Sequence, residues 1–246
     1  KDSYYGLSGY CNVDINCNEG NSWQELKNAV CRIIFKSGSF TTEVCTGTLI
    51  NNTSEDGIAY IYTANHCIRM ASQAESALFY FGYEAESCNG PDPDPDGLLT
   101  NSIATSSLLA TSDSLDFSLL LLSEVPPESY KPVYAGWSRS ETRPQRSTVL
   151  HHPQGDVKKI SADLDAALTE YQQNNPPDWL YTESVPGAFW RIAEWEYGTT
   201  EGGSSGSPLF NEDQRIVGNL TGGDASCFNS VNDYFSKFYL NWDYYT

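Results

Sequence analysis

Basic side chains are scarce in this 246-residue chain: 14 Lys and Arg stand against 32 Asp and Glu, giving a net charge of -18. Such a surface repels nucleic acid and anionic membranes and draws in cationic ligands, although acidity can also serve solubility alone. No apolar run approaches the ~20 residues that a spanning helix needs, so no membrane partner is expected. No signal peptide opens the chain, which therefore reads as a mature or trimmed form. Histidine occurs only at His66, His151 and His152. Neither C-x-x-C nor H-E-x-x-H spacing is found, which argues against a metal site, and no cofactor is expected.

What is present is a globular, turn-rich composition: 39% hydrophobic residues, 19 Gly and 12 Pro. Seven cysteines imply an oxidising compartment, with three bridges and one thiol left over. Strand-like runs at 30–35, 43–50, 58–63, 77–83 and 115–122, separated by turn clusters, predict an all-β barrel or sandwich. Ser22 with Glu25 has the capping-box spacing and predicts a short helical turn before residue 30. Residues 126–132 (PPESYKP) read as a linker between two lobes, 1–125 and 126–246. The pattern of residues 162–174 is compatible with a helix. The aromatic tail 238–245 reads as a strand. Asp92-Pro93-Asp94-Pro95-Asp96-Gly97 looks like the first half of a calcium loop. Its twelfth position, however, is Ile103 rather than Glu, so a solvated acidic loop is expected.

The chemistry concentrates at Gly202-Gly203-Ser204-Ser205-Gly206-Ser207-Pro208, a side-chain-poor turn between apolar segments. Such a turn can present a hydroxyl nucleophile beside converging backbone N–H donors, as acyl transfer requires. A flexible Gly/Ser linker is the alternative reading. All three histidines precede Ser205, and Ser207 stands where a G-x-S-x-G elbow would have its last glycine. Both facts exclude the α/β-hydrolase arrangement and leave the order His, Asp, Ser. His66 closes the apolar run 58–62, and Asp116 heads the strand 117–122. Asp113 is the rival acid, but its Thr-Ser-Asp-Ser context suits a solvated loop. His151 and His152, ahead of Pro153, read as a structured turn near the site.

The motifs Cys45-Thr46-Gly47-Thr48-Leu49, Thr63-Ala64-Asn65-His66-Cys67, Asp116-Phe117-Ser118-Leu119-Leu120, His151-His152-Pro153, the serine turn and Leu220-Thr221-Gly222-Gly223 occur in an order that resembles the chymotrypsin-like serine endopeptidases. Among these the secreted bacterial lysyl endopeptidases are the nearest, over residues 6 to about 237. The resemblance implies two antiparallel six-stranded β-barrels with the active site between them and little helix, and over residues 162–174 it implies a strand and loop in place of the helix that the pattern allows. It implies a triad of His66, Asp116 and Ser205, with the N–H groups of Gly203 and Ser205 as oxyanion hole. It also implies the disulfides Cys11–Cys227, Cys17–Cys88 and Cys45–Cys67, with Cys31 free. Trypsin's specificity acid would fall at Thr199, and its activation carboxylate at Ser204. Neither residue can play that part, so activation by removal of a segment ahead of Lys1 is expected. The family's specificity acid matches Asp233, with Thr221, Gly222 and Gly223 as the opposite wall and Asp224 as the rival acid. Known members carry histidine where Thr221 stands. The implied protein is a secreted, monomeric bacterial endopeptidase acting on polypeptides after lysine. The alternatives are arginine or another preference at that position, or a non-catalytic protease-like binding protein.

Overall fold

The computed structural model describes residues 7–90, 100–169 and 185–244. The Asp92–Asp96 loop and residues 170–174 of the ambiguous segment lie outside them. A short strap strand, β1 (Val13–Asp14), precedes β2 (Val30–Lys36), β3 (Thr42–Ile50), β4 (Tyr60–Thr63), β5 (Leu78–Phe81), β6 (Ser102–Ala104), β7 (Ser106–Ser112) and β8 (Phe117–Leu122). Then follow β9 (Ser147–His151), β10 (Lys159–Asp163), β11 (Leu168–Thr169), β12 (Phe189–Glu194), β13 (Pro208–Phe210), β14 (Ile216–Gly223) and β15 (Val231–Lys237). Two antiparallel sheets result, ordered β6-β5-β2-β3-β4-β8-β7 and β1-β10-β9-β13-β14-β15-β12-β11. The counts are seven and eight rather than six, because β1, β6 and β11 add pieces of two or three residues. Fully buried alternating residues, such as Ile33, Leu49, Ile61 and Leu120 on one side and Val149, Ile192, Leu209 and Phe235 on the other, give each sheet its own apolar face.

Three sequence expectations need correction. The strap, assigned by sequence to the first lobe (1–125), belongs partly to the second sheet: Val13 pairs with Ile160 and Asp14 with Lys159. The Cys11–Cys227 disulfide holds it there, and Gly9 and Asn12 donate to Glu201 Oε2 at 2.9 and 2.8 Å. The helical turn expected before residue 30 is present as two 3-10 turns, Asn18–Trp23 and Leu26–Ala29, but Ser22 lies inside the first and does not cap it. The aromatic tail is a helix, α2 (Phe238–Asp243), and not a strand. Phe238 and Trp242 are four apart, so a helix puts them on one face against the Trp137 ring, at centroid distances of 5.5 and 4.6 Å. The other helix, α1 (Ala71–Ser76), follows the His66 loop; Gln73 Oε1 accepts from the N–H groups of Arg69 and Met70 at its start.

Among the described residues, four lysines are withdrawn from solvent, while Lys36 is exposed at the end of β2. Lys158 has no solvent exposure and donates to the Lys27 carbonyl at 2.6 Å; burial lowers its pKa to about 8. Lys159 pairs with Asp14 at 2.5 Å, Lys27 with Glu84 at 2.6 Å, and Lys237 Nζ lies 4.2 Å over the Trp190 ring. Lys131 is exposed in a left-handed conformation (φ 52°), immediately before Pro132.

Candidate active site

β4 delivers His66. Its partners β3 and β8 are apolar and buried, so the strand end at Thr63 is fixed, and the Cys45–Cys67 disulfide pins the residue after the histidine to β3. Asp116 sits just ahead of β8, only 3% exposed, in a positive-φ conformation (48°) that few non-glycine residues adopt. Its carboxylate accepts the His66 main-chain N–H at 2.9 Å and faces imidazole Nδ1 at 2.9 and 3.1 Å. Burial alone would lower the His66 pKa. The Asp116 charge and hydrogen bond, helped by Glu43, outweigh this and raise it above the ordinary imidazole value. Asp113 is exposed and makes no such contact; its carbonyl accepts from the Asp116 N–H.

The serine turn joins β12 to β13 and is laced to the first sheet through Thr46. The Thr46 N–H donates to the Ser205 carbonyl at 2.8 Å, and its hydroxyl donates to the Gly203 carbonyl at 3.0 Å. Gly206 (φ 80°) lies against β4: a Cβ there would collide with Thr63 Oγ1 and sit 2.9 Å from the Ala64 nitrogen. Ser205 is thereby brought beside the segment that carries His66. Gly203 (φ 90°) leaves no space for a Cβ, which would fall 2.8 Å from the Gly155 nitrogen. Within the turn, the N–H groups of Ser204, Gly206 and Ser207 are taken up by Glu201, Leu220 and Ser204 carbonyls. Among the described residues, those of Gly203 and Ser205 meet no protein acceptor. Two unbonded donors on either side of a bonded one leave this turn with N–H groups available to an anion.

Asp233 lies on β15 opposite Gly223 of β14, 1% exposed. Its Oδ2 accepts from Trp195 Nε1 and Thr200 Oγ1, both at 2.7 Å. Among the described residues Oδ1 has no hydrogen-bond partner. Burial raises the pKa to about 6 against those hydrogen bonds. A side chain at Gly223 would collide with Oδ1, so the glycine keeps one face of the carboxyl open. Thr221 is buried with an unbonded hydroxyl, and Gly222 adopts φ 151°. Asp224 is exposed in the turn after β14. Thr199 is fully buried and Thr200 nearly so, beside this site.

Several contributors were not singled out by sequence, Thr46 among them although it lies inside the Cys45–Leu49 motif. Trp195 and Thr200 hold Asp233, Thr46 holds the serine turn, and Asn219 Nδ2 donates to the Asp116 carbonyl at 3.0 Å. Only their place among apolar or turn residues distinguishes them in the sequence. His152 Nδ1 donates to the Asp156 carbonyl at 2.9 Å, a backbone contact of the kind expected in a structured turn. His151 bonds side chains instead, with Ser204 on one nitrogen and Ser161 on the other. Disulfides join Cys11 to Cys227, Cys17 to Cys88 and Cys45 to Cys67, and Cys31 is a buried free thiol.

The fold is that of the chymotrypsin-like serine proteases. It is similar to the Rv3671c protease from M. tuberculosis in its active form (TM-score 0.59, 15% identity, 92% of this chain and 83% of that one). It is also similar to an inactivated protease paralogue of the scabies mite (TM-score 0.62, 15% identity, 89% and 96%). Residues 5–236 match the family model described as lysyl endopeptidase, C-terminal domain. The lysyl endopeptidase of Pseudomonas aeruginosa is 30% identical over 249 residues, covering 95% of this chain and 50% of that protein. The chain belongs to the lysyl endopeptidase family, a family of serine endopeptidases, and spans about half the length of that curated relative.

Proposed function

We propose that this chain is a secreted serine endopeptidase that hydrolyses peptide bonds on the carboxyl side of lysine. The observation that carries the reading is the pairing of a His66–Asp116 couple and an oriented serine turn with a buried carboxyl, Asp233, that has one unsatisfied oxygen beside two glycines. Ser205 Oγ attacks the scissile carbonyl as its proton passes to His66 Nε2. Asp116 keeps the Nδ1–H tautomer and stabilises the imidazolium. The N–H groups of Gly203 and Ser205 take the developing oxyanion, each worth about 2.7–4 kcal/mol in the transition state. His66 then protonates the leaving amine, and water repeats the sequence on the acyl-enzyme.

A lysine side chain running along Gly222 and Gly223 meets Asp233 with its ammonium, while an uncharged side chain leaves the carboxylate buried and unpaired. That difference is on the order of 2–5 kcal/mol. The net charge of -18 adds a long-range attraction for basic substrates. Three disulfides fit an oxidising, extracellular setting. The test is a digest of denatured proteins with the termini mapped: cleavage after lysine is expected, and cleavage mainly after apolar or acidic residues would overturn the reading. Labelling of Ser205 by a fluorophosphonate, lost in Ser205→Ala, separates an active enzyme from a binding protein built on the same fold.

A further inference from the structure

Ser204 sits between the two residues whose N–H groups form the oxyanion hole, and its side chain points away from the cleft into the second lobe, with no solvent exposure. Its hydroxyl lies 2.7 Å from His151 Nδ1, and the other ring nitrogen lies 3.1 Å from Ser161 Oγ. His151, on β9, is likewise fully buried. The proton arrangement along this chain follows from its ends. The Ser161 hydroxyl donates its one proton to the Thr199 carbonyl at 2.8 Å, so toward His151 it can only accept. Nε2 therefore carries the imidazole proton and Nδ1 is the bare acceptor. Ser204 accepts from the Glu201 N–H at 3.2 Å and gives its own proton to Nδ1. Burial, with Lys159 nearby, lowers the His151 pKa to about 3, which keeps the ring neutral wherever proteolysis operates. Every donor and acceptor is used once, so the direction of the whole chain is set.

The far end of this chain is the wall of the lysine pocket. Thr199 precedes Thr200, whose hydroxyl bonds Asp233. Gly198 (φ 71°) is packed so closely on Ser161 that any side chain there would displace it. Hydrogen bonds thus run from the oxyanion turn to the Thr199 carbonyl, and the peptide bond to Thr200 carries the connection on to the carboxyl that would select the substrate.

We propose that His151 is a positioning residue for catalysis: a neutral imidazole that fixes the peptide turn bearing both oxyanion donors by accepting from Ser204, and ties that turn through Ser161 and Thr199 to the specificity wall. The proposal rests on the reading of Ser205 as nucleophile. His151 supplies, with uncharged hydrogen bonds, the anchor that trypsin obtains from a carboxylate at the residue before the nucleophile. The turn is therefore set by the core of the second lobe.

The test compares His151→Leu, His151→Asn, Ser204→Ala and wild type on the lysyl peptide ester that wild type cleaves, with kcat expressed per active site titrated by a fluorophosphonate. Asn places Oδ1 where Nδ1 stood and can still accept from Ser204; Leu fills the space without accepting. Loss of orientation at the oxyanion hole is expected to lower kcat in His151→Leu and Ser204→Ala by about tenfold or more, with KM within about threefold. His151→Asn is expected to recover most of the loss. A merely structural role would lower Tm and leave kcat per titrated site unchanged. The proposal is overturned if Ser204→Ala keeps kcat within about twofold of wild type, or if Asn and Leu lose equally. If His151→Leu does not fold, Ser204→Ala alone decides the matter, since it retains the ring. Wild type that shows no titratable serine defeats the underlying reading instead. Wild type that is titratable but prefers another residue defeats only the lysine assignment, and the same variants are then compared on the preferred ester.

Discussion

A carboxyl whose pKa rises from 3.8 to about 6 inside a strand, as at Asp233, lowers the stability of the folded state once it ionises. The sign follows from the raised value: folded and unfolded forms are both protonated below about pH 4, and the cost develops as pH climbs toward 6 and stays above it. By linkage it amounts to roughly 3 kcal/mol. Asp233→Asn should therefore raise Tm by several degrees at pH 8 and leave it nearly unchanged at pH 4, while kcat/KM on lysine esters falls about a hundredfold or more. Equal Tm at both pH values, or retained lysine activity, would contradict this role. His66 gives the opposite kind of signature. Its raised pKa places the acid limb of kcat/KM above the ordinary imidazole value, and Glu43→Gln should move that limb to lower pH by removing a charge that favours the imidazolium. A limb that moves upward or stays put would remove Glu43 from the account. Cys31 is fully buried with its thiol pKa pushed up to about 12, so iodoacetamide should modify it only on unfolding.

Elements differ in how far sequence foretold them. Strands such as β2, β3 and β8 were legible because buried β-branched and leucine residues follow one another between turn signals. The helix α2 was not, since Phe, Tyr and Trp favour strands on average and its six residues are too few to show a 3.6 period. Its existence depends on tertiary contacts: Phe238 packs on Tyr62 at 5.3 Å, and Asn241 Nδ2 donates to the Tyr62 hydroxyl at 2.6 Å. Phe238→Ala should accordingly cost about 3–5 kcal/mol and lower the denaturation midpoint, with fluorophosphonate labelling of the folded protein retained. An unchanged midpoint would mean that α2 is an appendage. The serine turn was legible from its glycines, because positive φ at Gly203 and Gly206 leaves a compositional trace. Trp195, Thr200 and Asn219 leave none, and Thr46, though inside the Cys45–Leu49 motif, shows no sign of its role, since a threonine on a strand looks the same whether it faces water or ties down a catalytic turn.

For the molecule as a whole, the strap shows why lobe boundaries are hard to read from a linker alone: 216 residues separate Cys11 from Cys227, and only the folded arrangement makes them neighbours. The withdrawn lysines have a consequence for an enzyme that meets copies of itself at high concentration. A protease cleft takes its substrate as an extended strand with free main-chain groups. Lys158, Lys159 and Lys237 are buried, and Lys27 is half-buried in its ion pair. Lys36 is locked in the β2–β3 ladder opposite Thr42, and Lys131 has a left-handed backbone followed by proline. Among the described residues, then, each lysyl bond is either withdrawn, held in a main-chain ladder or carried on a left-handed backbone, so none suits a cleft of the proposed specificity. The folded population should survive prolonged incubation with its own active form, and the first self-inflicted cuts, mapped by mass, should come only when denaturant opens the sheets. On the proposed specificity, resistance to autolysis follows from where the fold places the described lysines.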